Sequence, residues 1–150
     1  MRVYRISSPA HVRMALSGQG AALYPGRWNS LGVRLGYTAG SVGLAMLEML
    51  VHVDKEDVPS DRRLLSFDVP DVAVEPLAVL PPGWSDLPYS DVVRAVGDEW
   101  IAGARSLALQ VPSAVARYEY NVLINPAHPR FDEIALVNDE PLALDARLFA

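Results

Sequence analysis

The longest apolar stretch of the chain, residues 42–53, limits the fold more than any other feature of the sequence. It is interrupted only by Gly43, Glu48 and His52, and it is too short to cross a bilayer. We therefore predict a helix over residues 41–53 that is mostly buried in a protein core. A chain of 150 residues can bury roughly two-thirds of its unfolded surface. One compact domain over residues 1–150 is expected.

Composition and charge narrow the class of protein further. Hydrophobic residues make up 51% of the sequence and charged residues 21%, which indicates a globular chain and not a disordered one. The net charge of -5 argues against direct nucleic-acid binding, although one or two local cations could hold a small anion. The absence of cysteine excludes disulfides, thiolate zinc sites and cysteine nucleophiles. Because neither a signal peptide nor a membrane span is predicted, we expect a cytoplasmic protein.

Hydrophobic patterning along the rest of the chain indicates an α+β domain. Strands are predicted over residues 3–6, 35–38, 63–69, 107–111 and 134–137, with a further extended segment over residues 72–80. A short helix is predicted over residues 9–17 with Ser8 as its N-cap, and residues 18–32 are expected to be loop. Helical signal returns over residues 90–106, where Gly97 is expected to separate two short helices. The 12 prolines are scattered, so no domain boundary is predicted.

The helix over residues 41–53 carries the first candidate site residue. At about 100° per residue, Ser41, Ala45, Glu48 and His52 fall on one stripe, and apolar residues cover nearly all the rest. The stripe could be the solvent face of the helix, or Glu48 could face a cleft. A carboxylate on such an apolar helix needs hydrogen-bond partners, and it suits acid–base chemistry or the stabilisation of a developing cation.

The segment from Gly26 to Ser30 places Arg27 among residues that permit tight turns. A guanidinium binds phosphate through a planar bidentate fork, so Arg27 fits an anion clamp for a pyrophosphate. The alternative is that Arg27 pairs with a surface carboxylate while Trp28 fills the core. Neither the Walker nor the dinucleotide-binding glycine spacing is present.

Ser113 follows Pro112 at the end of a predicted strand, where its hydroxyl could face a ligand or cap a turn. Asn121 and Asn125 leave open the alternative of a turn side chain bonded to the backbone. A serine-nucleophile triad is disfavoured because no Gly-x-Ser-x-Gly elbow surrounds Ser113. The three histidines could in principle join Glu48 around a metal, but no recognised ligand spacing is present, so no metal site is predicted.

These segments, taken in order, resemble the RES-domain family, and the resemblance covers essentially the whole chain. The motifs are Val-Tyr-Arg at 3–5, Gly-Arg-Trp-Asn at 26–29, Leu-Gly-Tyr-Thr-Ala at 35–39, Leu-Glu-Met-Leu-Val-His at 47–52, Gly-Asp-Glu-Trp at 97–100, Val-Pro-Ser at 111–113, Asn-Val-Leu-Ile-Asn-Pro-Ala-His-Pro at 121–129 and Asp-Ala-Arg-Leu at 145–148. The arginine, glutamate and serine that give the family its name would be Arg27, Glu48 and Ser113.

The resemblance implies a fold like that of ADP-ribosyltransferase toxins. It also implies that the protein is the toxin of a bacterial type II toxin–antitoxin system. Such a toxin would deplete NAD⁺ by cleaving its nicotinamide–ribose bond, as a glycohydrolase or a phosphorylase. NAD⁺ would be the substrate, and no cofactor is expected. The implied partner is an Xre-type helix-turn-helix antitoxin that occludes the active site, with no membrane contact and with homo-oligomers left open within the complex. The alternatives are a protein ADP-ribosyltransferase and a non-catalytic module that binds a nucleotide or a partner.

The same resemblance suggests a role for each candidate residue. Glu48 would oppose the positive charge that develops on the ribose, and Arg27 would hold the phosphates. Tyr37 would stack on the cationic nicotinamide, while Ser113 would bond to its amide or to a ribose hydroxyl. The remaining residues expected to contact NAD⁺ are Trp28 and Asn121.

Overall fold

The computed structural model describes residues 1–149 and is built around a seven-stranded sheet. The strands are β1 (Arg2–Ser7), β2 (Gly36–Ala39), β3 (Arg63–Asp68), β4 (Val74–Pro76), β5 (Ala108–Pro112), β6 (Tyr120–Ile124) and β7 (Ala135–Pro141). The α-helices are α1 (Gln19–Leu23), α2 (Val42–Leu50) and α3 (Asp91–Gly103). Short 3-10 helices cover Pro9–Met14, Asp71–Ala73, Phe131–Glu133 and Ala146–Phe149. The predicted α+β class is confirmed.

The order of the strands is β4-β5-β6-β2-β1-β3-β7, and β4–β5 is the parallel pair among antiparallel neighbours. In the middle of the sheet, Ala39 lies opposite both Tyr4 of β1 and Asn121 of β6. Tyr37 is two residues before Ala39 on β2, and alternate strand residues share a face. Tyr4, Tyr37 and Asn121 therefore project from the same face of the sheet.

Helix α3 packs on the sheet through Val93, Gly97 and Trp100, which are buried at helical spacing. It is one continuous helix, so the prediction that Gly97 separates two short helices is wrong. A Cβ on Gly97 would lie 1.7 Å from the carbonyl oxygen of Trp28. The glycine lets the helix lie directly against this backbone, and the resulting packing compensates for the weak helix propensity of glycine.

Helix α2 packs against β1 and β2 on one side only. Within the helix only Leu44 and Ala45 are buried, while Leu47 is 42% exposed and Val51, just after the helix, is 55% exposed. The prediction of a mostly buried helix extending to residue 53 is therefore wrong, because the hydropathy of a helix does not reveal how many of its sides are covered. Within residues 1–149, no helix is both long enough and apolar enough to cross a membrane.

Other differences concern short elements. Strand β6 was not predicted, although it lies inside the sheet, and α1 forms within the stretch predicted to be loop. The helix predicted after Ser8 is a 3-10 helix, and the Ser8 side chain does not cap it. Within the segment predicted to be extended, residues 72–80, the strand β4 covers Val74–Pro76 only, and a 3-10 helix precedes it. The last strand, β7, is longer than predicted.

Candidate functional site

Glu48 is held on the sheet by donors from two strands. Its Oε1 accepts a hydrogen bond from Asn121 Nδ2 at 2.6 Å and one from the Ser113 hydroxyl at 2.9 Å. Asn121 belongs to β6, and Ser113 follows the last residue of β5. Among residues 1–149, no donor is bonded to the other oxygen, Oε2. One oxygen thus fixes the carboxylate, while the second is available to a substrate.

Ser113 is fully buried and holds the loop between β5 and β6 as well as Glu48. Its Oγ accepts hydrogen bonds from the amides of Val115 and Ala116, each at 3.1 Å. The same hydroxyl donates its proton to Glu48. The predicted position of Ser113 at a strand end is confirmed. Because its hydroxyl is held by two backbone amides, its hydrogen bond to Glu48 orients the carboxylate.

The loop between β5 and β6 is also tied to the start of α2. The Ser41 hydroxyl accepts a hydrogen bond from the amide of Leu44 as the N-cap of α2, and it donates one to the Glu119 carboxylate. The residues predicted to share one stripe of the helix, including Ser41, Glu48 and His52, thus lie in different surroundings. Ser41 and Glu48 contact the loop, whereas His52 is exposed to solvent.

Tyr37 anchors the loop that carries Arg27. Its hydroxyl accepts a hydrogen bond from the Trp28 amide at 3.0 Å and donates one to Asn29 Oδ1 at 2.8 Å. A Cβ on Gly26 would lie 2.6 Å from this hydroxyl oxygen, so the close approach requires glycine. Burial raises the pKa of Tyr37 well above its ordinary value, which keeps the hydroxyl protonated as a donor.

Two further side chains, Asn29 and Trp28, hold the loop that carries Arg27 against the core. Asn29 is fully buried and donates to the carbonyls of Ala21 at 2.7 Å and Val33 at 3.1 Å. Trp28 is 2% exposed and packs in the same hydrophobic cluster as Trp100. In this structure the Trp28 indole lies in the core, where it supports Arg27 without lining a cleft.

Arg27 extends from this loop toward a neighbouring turn. Its Nη1 donates to the carbonyl of Trp84 at 2.6 Å and to that of Asp86 at 3.0 Å, and its Cζ lies 4.8 Å from the centre of the Tyr89 ring. Within residues 1–149, Arg27 forms no salt bridge. Its Nε and Nη2 donate no hydrogen bond to these residues. The guanidinium thus keeps one edge open for an anion.

Arg5 is a candidate functional residue to which the sequence analysis assigned no role. Its Nη1 donates to the carbonyl of Tyr37 at 2.6 Å. Within residues 1–149 its Nε is the one buried side-chain nitrogen or oxygen without a hydrogen-bond partner. Burial also lowers the pKa of its guanidinium, and no carboxylate of the described chain pairs with it. A partly buried guanidinium with a buried Nε and no carboxylate partner is a candidate site for an anion. The available signal is a charged residue inside the strand predicted over residues 3–6, whose other members are Val3, Tyr4 and Ile6.

The other polar residues considered lie in turns. Asn125 is buried and bonds to the Ala127 amide at 3.0 Å and the Ile101 carbonyl at 3.2 Å. His128 Nδ1 accepts a hydrogen bond from the Arg130 amide at 3.1 Å. No group of three metal-ligating side chains is close enough to hold a metal ion within residues 1–149.

The arrangement brings the predicted residues onto one face of the sheet. Asn121, which holds Glu48, lies opposite Ala39, and Tyr37, which holds the Arg27 loop, is two residues before Ala39 on β2. Two residues of a strand span roughly 7 Å. The residue that holds Glu48 and the residue that anchors the Arg27 loop are therefore near neighbours on one face of the sheet. A carboxylate with an open oxygen and an arginine with an open edge suit a substrate with a developing cation at one end and phosphate at the other.

Comparison with known proteins gives a consistent picture. The model of the RES domain family matches residues 2–145. The chain is 39% identical to Toxin Res of Photorhabdus laumondii, with 99% of this chain and 97% of that protein covered. It is 40% identical to Toxin Res of Pseudomonas putida, covering 99% and 100%. It is also 40% identical to the Prs ADP-ribosylating toxin of Sphingobium sp., covering 84% and 83%.

The fold has a counterpart among solved structures. A chain in the crystal structure of the M. tuberculosis MbcT-MbcA toxin-antitoxin complex superposes with a TM-score of 0.73 at 23% identity, with 99% of this chain and 86% of that chain covered. At this identity the likeness shows the fold alone. Together with the family match and the relatives of nearly equal length, it leads to one conclusion. The chain belongs to the RES-domain family of toxins.

Proposed function

We propose that this toxin cleaves the nicotinamide–ribose bond of NAD⁺ and is the toxic half of a toxin–antitoxin pair acting in the cytosol. The observation that carries the proposal is Glu48, whose Oε1 is fixed by Asn121 and Ser113 while Oε2 is left open on the face that Tyr37 shares. NAD⁺ is then a substrate, and the reaction needs no cofactor.

The chemistry follows from the position of that charge. When the C1′–N bond breaks, its electron pair leaves with nicotinamide and the ribose becomes an oxocarbenium ion. A carboxylate beside C1′ stabilises this cation more than the ground state, so it lowers the barrier. Water then attacks C1′ and loses a proton, giving ADP-ribose, and phosphate in its place would give an ADP-ribose phosphate. Asn121 and Ser113 keep Glu48 in one orientation throughout.

The arginines supply the opposite charge that the substrate needs. Arg27 presents its open edge to a phosphate, and Arg5 adds a partly buried cation bonded to the Tyr37 backbone. An unpaired buried guanidinium is costly, and an anionic substrate is the partner that relieves this cost. Binding the phosphates at one end fixes the scissile bond at the other.

Incubation of the purified protein with NAD⁺, followed by separation and mass analysis of the products, tests the proposal. Nicotinamide with ADP-ribose indicates a glycohydrolase, and nicotinamide with an ADP-ribose phosphate indicates a phosphorylase. Glu48→Gln is the inactive variant, and Glu56→Gln, at an exposed position outside the site, is its matched control. Retained NAD⁺ without release of nicotinamide would refute catalysis and would favour a non-catalytic binding module.

A second candidate acceptor is a protein side chain. The relative from Sphingobium sp., 40% identical to this chain, is named an ADP-ribosylating toxin, and this name supports transfer as the alternative. The same carboxylate would stabilise the same cation, so only the acceptor differs. Mass analysis of proteins incubated with the toxin and NAD⁺ distinguishes the two, because transfer adds one ADP-ribose to a target without equivalent free ADP-ribose.

The proposed partner is an Xre-type helix-turn-helix antitoxin that occludes the site. Arg27 and Arg5 form no salt bridge within residues 1–149, so a blocking segment with an acidic side chain or a terminal carboxylate matches them. Inhibition by the product of the neighbouring open reading frame is then competitive with NAD⁺. Titration of that partner at several NAD⁺ concentrations checks this, and an unchanged apparent affinity for NAD⁺ would contradict it.

A further inference from the structure

Two guanidinium groups share the ring of Tyr89. The Cζ of Arg27 lies 4.8 Å from the ring centre, and the Cζ of Arg94 lies 5.9 Å from it. Both distances are within the range of cation–π contacts. Arg94 is therefore a second cation beside the residue expected to bind phosphate, although the sequence analysis gave it no role.

Arg94 is attached to the same loop as Arg27. It lies in the first turn of α3, and its Nε donates to the carbonyl of Gly26 at 3.2 Å. The backbone atom that it holds belongs to the residue immediately before Arg27. Because Tyr37 and Asn29 fix the other side of this loop, the two guanidiniums keep a defined relation to each other.

The hydrogen bonds of Arg94 leave part of its guanidinium without a partner in the described chain. Within residues 1–149 its one ion pair is with Asp91, whose side chain is 97% exposed and whose Oδ1 lies 3.4 Å from Arg94 Nη1. Exposed pairs of this kind contribute little. Asp98, on the same helix, accepts a hydrogen bond from the Ser30 amide. Two guanidiniums thus share one ring, and Asp91 and Asp98 are the carboxylates of α3 that lie nearest to Arg94 in sequence.

We propose that Arg94 is a second phosphate-binding residue, so that Arg27 holds the phosphate nearer the nicotinamide ribose and Arg94 holds the phosphate on the adenosine side. Tyr89 keeps the two guanidiniums at a fixed separation. The inference rests on the proposed function, because it assigns the second phosphate of the same dinucleotide. It makes this toxin selective for dinucleotides over mononucleotides.

The test measures binding by calorimetry in the Glu48→Gln background, which prevents turnover. The two probes are NAD⁺, with two phosphates, and nicotinamide mononucleotide, with one. We expect Arg94→Gln to weaken NAD⁺ binding by about 10- to 100-fold, the range for a lost charge-assisted hydrogen bond, and mononucleotide binding by less than about threefold. The dependence of NAD⁺ affinity on salt should also become shallower. Arg105→Gln is the matched control, since Arg105 is exposed and pairs with Glu75.

Each outcome decides a separate point. An equal loss for both nucleotides would show that Arg94 only positions the Gly26 loop, and this would overturn the proposal. Unchanged affinity for NAD⁺ in a folded Arg94→Gln protein would overturn it as well. Arg94→Lys keeps the charge but cannot reproduce the guanidinium geometry, so it should restore part of the salt dependence if the contact is with phosphate. If neither the wild-type protein nor the Glu48→Gln parent binds either nucleotide, the proposed function fails and the inference fails with it.

Discussion

Glu48→Gln separates the charge of Glu48 from its place in the fold. The substitution keeps a carbonyl oxygen that can accept the hydrogen bonds of Asn121 and Ser113, and it replaces only the open oxygen by an amide nitrogen. Hydrogen bonds to a neutral acceptor are weaker than those to a charged one by about 1 kcal/mol each, so unfolding should become easier by at most about 2 kcal/mol. That corresponds to a fall in Tm of about 4–8 °C.

The effect on catalysis should be much larger. Two unit charges about 4 Å apart interact by about 4 kcal/mol at an effective dielectric constant of about 20. The transition state carries part of a full charge, so we expect nicotinamide release to slow by at least about 100-fold, or about 2.7 kcal/mol. The assay is single-turnover nicotinamide release at saturating NAD⁺, with Glu56→Gln as the control. A folded Glu48→Gln protein that binds NAD⁺ and reacts within about tenfold of the wild-type rate would refute this reasoning.

Three further substitutions test the framework of the site. Gly97→Ala would place a Cβ 1.7 Å from the Trp28 carbonyl and should destabilise by about 3 kcal/mol or more in thermal unfolding, whereas Gly43→Ala on open α2 surface should be neutral or stabilising. Tyr37→Phe removes the hydroxyl that holds the Trp28 amide and should raise the KM for NAD⁺ more than it lowers kcat, and an unchanged KM would contradict its role as anchor. Arg27→Lys cannot reproduce the bidentate fork and should lower kcat/KM more than about tenfold, while Arg34→Lys, at an exposed position, should not. A loss below about threefold in Arg27→Lys would point to a surface residue.

The sequence allowed the members of the site to be named but not their contacts. Glu48, Ser113 and Asn121 could be chosen as candidates from their motifs, but 65 and 73 residues separate Glu48 from its two donors. Contacts over such distances depend on strand order, which hydrophobic patterning does not specify. Strand β6 was missed because Asn121 near its start and Asn125-Pro126 after its end favour turns.

Two other outcomes show where local rules fail. Gly97 is a weak helix former, yet its lack of a Cβ is what allows α3 to contact the Trp28 backbone, so tertiary packing overrides propensity. Arg5 interrupts an apolar strand pattern, but only the folded chain shows that its Nε has no partner among residues 1–149. A residue such as Arg5 becomes a candidate because it lacks a partner in the folded chain, and a sequence motif cannot show this.

The hydrogen bonds of Ser113 couple the position of the β5–β6 loop to that of the Glu48 carboxylate. The Ser113 hydroxyl accepts hydrogen bonds from the amides of Val115 and Ala116 and donates one to Glu48. At the other end of the loop, the Ser41 hydroxyl at the start of α2 donates a hydrogen bond to Glu119. A molecule that binds the exposed ring of Tyr118 contacts a loop whose two ends are hydrogen-bonded through Ser113 and Glu119. A shift of this loop would be transmitted to Glu48 through the Ser113 hydroxyl. Displacement of this loop, without entry into the cleft, would remove the Ser113 hydrogen bond and leave the carboxylate held by Asn121 alone.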